Sequence, residues 1–513
     1  MVTGRVLERL AVITRFTRSP SPRPSPAGRG RIIDRTWENA PFESQRIGQT
    51  GSLSQRERVG VRESGHALPL KLQETEMRPF CFEALQIVAN GVREVHDRRQ
   101  MNHRVASSPF RTLFLLLSPL AAIAAANAAE LRAFHSQPSF VVATKEVEVA
   151  VTKLGGHMAP VTFFRDSAQP ARPYYISPWQ DEAPTKMPAP VLNPLRGDFF
   201  CMPFGGNSDE VAGEKHPPHG ELVGDAWHLV GTKKTGPVTT LTLGIETKVR
   251  KGRVTKELSL VDGQNVIYSR HIIEGFTGRV PLGHHATLAM PEKEGAVRIA
   301  TSAFRFGMTY PGLFSDPKQR EYQALQPGAK WTDLSKVPPA WKGAPDADLT
   351  RLPGRYGHAD LIQLANESWE KTGGPAWTTA TFQDAGCVWF SLKDPAVLRS
   401  TVFWMENHGR HGHPWNGRNN CLGLEDVTAF FADGLAASSK ENVLTQDGVV
   451  TAVTLSADKP TAVNYIQGVV KIPAGFENVK TLEFAAGEVT FISTTGKRVA
   501  APVRHEFLKT GKL

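Results

Sequence analysis

The chain has 513 residues and a formal net charge of +10, enough length for two or three average domains or for one large β-sandwich. Residues 1–100 carry 16 Arg and one Lys against 11 acids, residues 101–128 add Arg104 and Arg111, and only +2 remains for everything beyond. A nearly neutral body argues against a nucleic-acid partner, which requires a basic face, and four irregularly spaced cysteines argue against a disulfide framework or a CxxC zinc site, so buried free thiols are expected.

The first hundred residues read poorly as a domain. Ser19 to Arg31 is Ser/Pro/Arg/Gly low complexity, Ser52 to Glu63 is a run of polar repeats, and no segment sustains a helical or alternating period. Residues 1–100 are therefore expected to be a disordered or artefactual extension. From Met101 the pattern changes to a basic start, an apolar run from Leu113 to Ala126, and Ala126-Asn127-Ala128 before Ala129. That is the form of a secretory signal peptide over residues 101–128 with an A-x-A cleavage site. The apolar run is shorter than the roughly 20 residues of a spanning helix. The expectation is an exported protein, periplasmic or secreted, with no stable membrane span after cleavage.

The body reads as strands and turns. Phe140 to Ala143 and Val147 to Val151 are β-branched runs, ended by Leu154-Gly155-Gly156-His157. Leu241, Leu243, Ile245, Thr247 and Val249 alternate with small or polar residues. Lys251-Gly252 turns that strand into Val254 to Val261, and Asp262-Gly263 turns it again into Val266 to Ile273, a three-strand antiparallel meander. The stretch from Pro311 to Gly357, rich in Pro, Gly, Lys and Asp, reads as a long excursion of the kind that often contributes to sites. Further strands are expected at Gly386 to Leu392, Arg399 to Trp404, Val449 to Leu455, Ala462 to Tyr465 and Thr490 to Ser493, with short helical turns at Ser368 to Lys371 and Asp426 to Phe431. The fold class is all-β, a large twisted antiparallel β-sandwich, with residues 129–435 as its main body and 436–513 as C-terminal strands completing it.

Five polar islands interrupt this background: Arg196 before Gly197-Asp198-Phe199-Phe200, His219 in Pro-Pro-His-Gly-Glu, the doublet His284-His285, the aromatic and polar loop Trp404 to Arg418 with Trp415, Asn416 and Arg418, and Glu425 in Leu422-Gly423-Leu424-Glu425. A lone His is more often a surface or satisfied core residue than a site residue. Glu425 is harder to set aside, because a buried carboxylate costs several kcal/mol unless paired or functional. His408, His411 and His413 invite a metal reading, but their Gly-rich context with Arg410 between them favours a solvated loop, so no metal is assigned.

In order and spacing these islands resemble the galactose mutarotase-like (aldose 1-epimerase) superfamily over residues 140–435. The resemblance is carried by Leu154-Gly155-Gly156-His157, His219-Gly220, Val280-Pro281-Leu282-Gly283-His284-His285-Ala286-Thr287-Leu288 and Leu422-Gly423-Leu424-Glu425. The segments around Arg196 and Trp415 look like those of an epimerase-like branch apart from the well-known sugar mutarotases. The resemblance implies an isomerase that opens and recloses an aldose ring, with Glu425 as base and His285 as acid. His219, Arg196, His284, Trp415, Asn416 and Arg418 would then bind the substrate. The doubled histidine leaves the acid ambiguous; His285 is preferred because Ala-Thr-Leu follows it. The partner is a small-molecule sugar or glycan, and no cofactor is needed. The alternative is a non-catalytic exported carbohydrate-binding protein.

Overall fold

The computed structural model describes residues 131–513. The expected extension at 1–100 and the expected signal peptide at 101–128 lie outside the described residues.

Within them the fold is all-β. A seven-stranded antiparallel sheet runs, in spatial order, Lys330–Trp331, Phe304–Thr309, His358–Asn366, Ser400–Asn407, Asn420–Thr428, Leu282–Ala289 and Phe200–Cys201. A nine-stranded sheet runs Arg351–Leu352, Val297–Thr301, Ala376–Phe382, Cys387–Lys393, Thr461–Lys471, Val266–Glu274, Gly252–Val261, Val238–Thr247 and His228–Thr235. Both feed one core. Leu241, Leu258, Trp389 and Tyr465 of the nine-stranded sheet pack with Leu288, Ile362, Phe403 and Leu424 of the seven-stranded one, which makes the pair a sandwich. The meander is present as Val238–Thr247, Gly252–Val261 and Val266–Glu274, paired in register throughout. Its connections are the four-residue segments 248–251 and 262–265, so Val249, expected in the first strand, falls in a turn and Gly252, expected in the turn, opens the second strand.

The C-terminal segment divides. Thr461–Lys471 inserts between two strands of the nine-stranded sheet, whereas Val479–Ala485, Glu488–Ser493 and Arg498–Pro502 form a three-stranded sheet of their own. Their Val479, Leu482, Val489 and Phe491 share a core with Tyr268, Phe390 and Ile466 of the nine-stranded sheet. The short helix expected near Ser368 is there as Trp369–Thr372. The one expected at Asp426 to Phe431 is not, because Asp426, Val427 and Thr428 end a strand. The excursion from 311 to 357 carries only short elements, among them Lys330–Trp331 and Arg351–Leu352.

A side chain between the sheets and its strand neighbour point opposite ways, and this sets the site. On Leu282–Ala289 the residues Leu282, Ala286 and Leu288 enter the inter-sheet core; on Asn420–Thr428 Leu422 and Leu424 do so. The intervening residues face outward, where Cys421 and Val427 join Phe199, Leu361 and Trp404 in a second apolar cluster. Loops around Trp179 and Phe430 cover that outer face. Cys201, Cys387 and Cys421 are free and buried. Among the described residues no helix is long and apolar enough to cross a membrane.

Candidate functional site

His285 and Glu425 are direct cross-strand partners on the outer face of the seven-stranded sheet. His285 Nε2 lies 3.2 Å from Glu425 Oε1. The imidazole is fixed on its other side by a 3.2 Å contact between Nδ1 and Thr287 Oγ1, and its plane stacks on Phe199 with ring centroids 4.4 Å apart. Gly423 makes room for the acid: a Cβ there would stand 2.5 Å from Glu425 Oε1. Burial pushes the Glu425 carboxyl well above the usual carboxylate range. Burial also holds the His285 imidazole well below its ordinary value, with the nearby His219 adding to the effect. Both shifts favour the uncharged forms of the two groups.

His219 meets this pair from a separate loop. Its backbone is left-handed, with φ of 61°, and Gly220 follows where a Cβ would stand 2.1 Å from Met202 O. The turn directs the His219 ring to within 5.2 Å of the His285 ring, edge to face. Gly205 N–H approaches His219 Nδ1 at 3.4 Å, which leaves Nε2 to carry the proton of the neutral ring. Burial pulls the His219 pKa down to about 4, so the ring is a neutral donor near pH 7.

The three groups line one hollow of about 190 Å³. Its walls include Phe199, Phe314, Trp404 and Trp415. Trp415 is held edge-on between Trp404 at 5.6 Å and Trp179 at 5.0 Å. Glu425 is the one acid of the lining and Arg410 the one permanent cation. The Arg410 guanidinium lies over the Phe314 ring at 4.7 Å, with Nε 3.6 Å from Glu406 Oε2. Sequence reasoning passed over Arg410 as an interruption of a histidine loop. The only signal was its place between Trp404 and Trp415.

Four expected substrate ligands are elsewhere. Arg196 is fully buried and spends its guanidinium on three main-chain carbonyls and one side chain: Nε donates to Pro194 O, Nη1 to Phe134 O, and Nη2 to His135 O and Gln180 Oε1. It clamps the turn at 134–135 and does not reach the hollow. His284 points between the sheets, because it is one residue from His285 on an extended strand. Its Nδ1 lies 2.9 Å from Asp198 Oδ2 and its ring stacks on Tyr465 at 4.1 Å. Arg418 forks the Glu182 carboxylate and donates to Pro414 O, which pins its loop from outside. Asn416 is an exposed turn residue with φ of 52°. Of the loop expected to bind substrate, Trp404, Arg410 and Trp415 line the hollow.

The loop is latched by two buried acids. Glu406 Oε1 accepts from Gly409 N and Arg410 N, both at 2.9 Å. Glu321 Oε1 accepts from His411 N at 2.8 Å and Gly412 N at 3.3 Å. Four successive amides are thereby tied down, and they set where Arg410 enters the cavity wall. Among the described residues no three His, Cys, Asp or Glu side chains are placed to hold a metal ion.

No protein-family model matches the chain, and no curated protein does. Solved structures resemble it at low identity, galactose mutarotase-like proteins among them. A galactose mutarotase-like protein from Clostridium acetobutylicum overlaps at a TM-score of 0.45 and 11% identity, covering 67% of this chain and 98% of that one. A galactose mutarotase related enzyme from Lactobacillus acidophilus overlaps at 0.40 and 10%, covering 65% and 99%. The Slr1438 protein from Synechocystis sp. PCC 6803 overlaps at 0.42 and 12%, covering 67% and 98%.

Proposed function

We propose that this protein binds a sugar in the hollow beside His285 and Glu425 and interconverts its anomers, an aldose 1-epimerase-type isomerisation. The observation that carries the reading is the dyad: a carboxyl and an imidazole 3.2 Å apart, both opening on one sugar-sized hollow walled by aromatic rings. A protein that only binds has no use for a buried acid beside a buried base.

Ring opening requires a proton to leave the anomeric hydroxyl and a proton to reach the ring oxygen. The resting dyad is suited to both, with Glu425 giving its proton to the ring oxygen and the free nitrogen of His285 taking the hydroxyl proton. The ring C–O bond breaks, the open aldehyde turns about C1–C2, and reclosure returns each proton to its donor. His219 would donate from Nε2 to the oxygen on which charge develops. Trp404 and Trp415 offer apolar faces to the ring, and Arg410 offers hydrogen bonds to its hydroxyls. The roles of Glu425 and His285 are thus exchanged relative to those implied by the family resemblance.

The test is mutarotation of freshly dissolved aldoses, followed by polarimetry. Accelerated equilibration that falls by about 10²-fold or more in Glu425→Gln, the scale of general acid catalysis, is the supporting result. A wild-type protein that binds sugars but accelerates none of them is the carbohydrate-binding protein of the second reading. We propose separately that the protein is exported, on the signal-peptide pattern of residues 101–128. Sequencing of the mature N-terminus should begin at Ala129, and a start within the first three residues would overturn export by cleavage.

A further inference from the structure

A second and larger cavity, about 440 Å³, opens on the other side of the loop latch. It is bordered by Trp341, Arg355, His358, Asp360, Glu406 and Asn407, and so is walled largely by the excursion from 311 to 357 and the strand ends beneath it. Glu406 separates it from the first hollow, since the Arg410 paired with Glu406 lines that hollow.

Its mouth has an unusual composition. Tyr322, Trp341 and Tyr356 are the three exposed aromatic side chains among the described residues, at 46%, 43% and 61% exposure. Trp341 lines the cavity itself, and Tyr322 and Tyr356 flank its lining residue His358. Tyr322 and Trp341 lie 6.3 and 5.5 Å from the His358 ring, and His358 Nδ1 is 2.9 Å from Tyr356 O. The Tyr356 ring is propped by stacking on His408 at 4.8 Å, which leaves its other face to solvent. Exposed rings held by their neighbours cost apolar contact with water and are typical of recognition surfaces.

We infer that this cavity is a second carbohydrate-binding site, taking neutral sugar units of a glycan against Trp341 and Tyr356. Three observations select that chemistry. The lining carries five acids, Glu294, Asp346, Asp348, Asp360 and Glu406, against Arg351 and Arg355, so the site disfavours an anionic occupant. The cation position over Trp341 is already filled, by the Arg355 guanidinium at 5.0 Å from the ring centroid, which disfavours an organic cation. Asn407 Oδ1 is a buried acceptor without a hydrogen-bond partner; it calls for a ligand that donates, as sugar hydroxyls do. The volume is more than twice that of the first hollow, so the occupant is longer than one ring.

This inference does not rest on catalysis in the first hollow. Maltohexaose, cellohexaose and laminarihexaose, titrated separately into the wild-type protein by calorimetry, are the probes. At least one is expected to bind, with affinity reduced about tenfold or more in the Trp341→Ala/Tyr356→Ala double variant, the scale of lost ring contacts, and restored in Trp341→Phe/Tyr356→Phe. The same affinity should survive in Glu425→Gln. Binding of none of the three hexaoses, or binding that is indifferent to the double alanine variant, overturns the second site. Mutarotation lost while hexaose binding persists would count against the chemistry of the first hollow alone.

Discussion

The placement of two adjacent histidines decides what each can do. His285 opens on the hollow, while His284 is enclosed between the sheets against Tyr465, so His284→Phe is expected to act on stability and His285→Phe on turnover. The pH dependence follows from the shifts. His285, held low, stays unprotonated until the pH falls through its folded value, and Glu425, held high, keeps its proton until the pH rises past its own. On the proposed mechanism the mutarotation rate should fall toward acid as His285 gains a proton and toward alkali as Glu425 loses one, with the two apparent pKa values belonging to the pair. Gly423→Ala should displace the carboxyl it now accommodates, lowering kcat about tenfold or more because acid catalysis depends on geometry, with the melting temperature as the control. Arg196 belongs to a different class. Its removal strands four acceptors, two of them at 134–135, and should cost about 3 kcal/mol or more in chemical denaturation, since hydrogen bonds to a charged group are each worth about 1.5–3 kcal/mol. Lys cannot replace it, lacking the planar fork that reaches all four.

At the scale of elements, the loop from 408 to 418 depends on carboxylates it does not itself contain. Burial raises Glu406 to about 7, from an ordinary value of 4.5. The folded protein thus keeps a proton that the unfolded chain has lost, and the stability this confers is full below 4.5 and gone once the pH passes about 7. Glu406→Gln should flatten the dependence of the melting temperature on pH across that window. What was legible at this level was what lies close in sequence. The meander could be read because Lys251-Gly252 and Asp262-Gly263 sit between alternating runs. His219, His285, Glu425 and Trp415 were singled out as polar or aromatic residues among strand and turn signals. The role of Arg196 was not legible, because its partners at 134 and 135 are some 60 residues away. Nor was the direction of His284, because strand parity is fixed by pairing register and not by composition. The helical turn expected at Asp426 failed for the same reason: pairing with Leu282–Ala289 and Ser400–Asn407 overrides a weak local preference.

For the molecule as a whole, the two sheets are joined by a buried polar cluster as well as by apolar packing. Lys393 of the nine-stranded sheet pairs with Asp426 of the seven-stranded one, and donates also to Ser400 O at 2.7 Å and Thr401 Oγ1 at 2.6 Å. Asp426 further accepts from Tyr465 at 2.8 Å and Ser391 at 2.9 Å. Lys393→Met would leave that carboxylate without its cation, a loss of about 3–5 kcal/mol, to be read from denaturant unfolding. The three described thiols are buried, and burial raises Cys201, Cys387 and Cys421 above the ordinary thiol value, so alkylating reagents should reach them only on unfolding.

Asp426 stands immediately after Glu425 on one strand, the first fastened to the opposite sheet and the second opening on the hollow. Prying the layers apart must therefore disturb the acid in the same motion. Inactivation by denaturant should run in step with the loss of tertiary structure, with no interval in which a loosened sandwich still turns over.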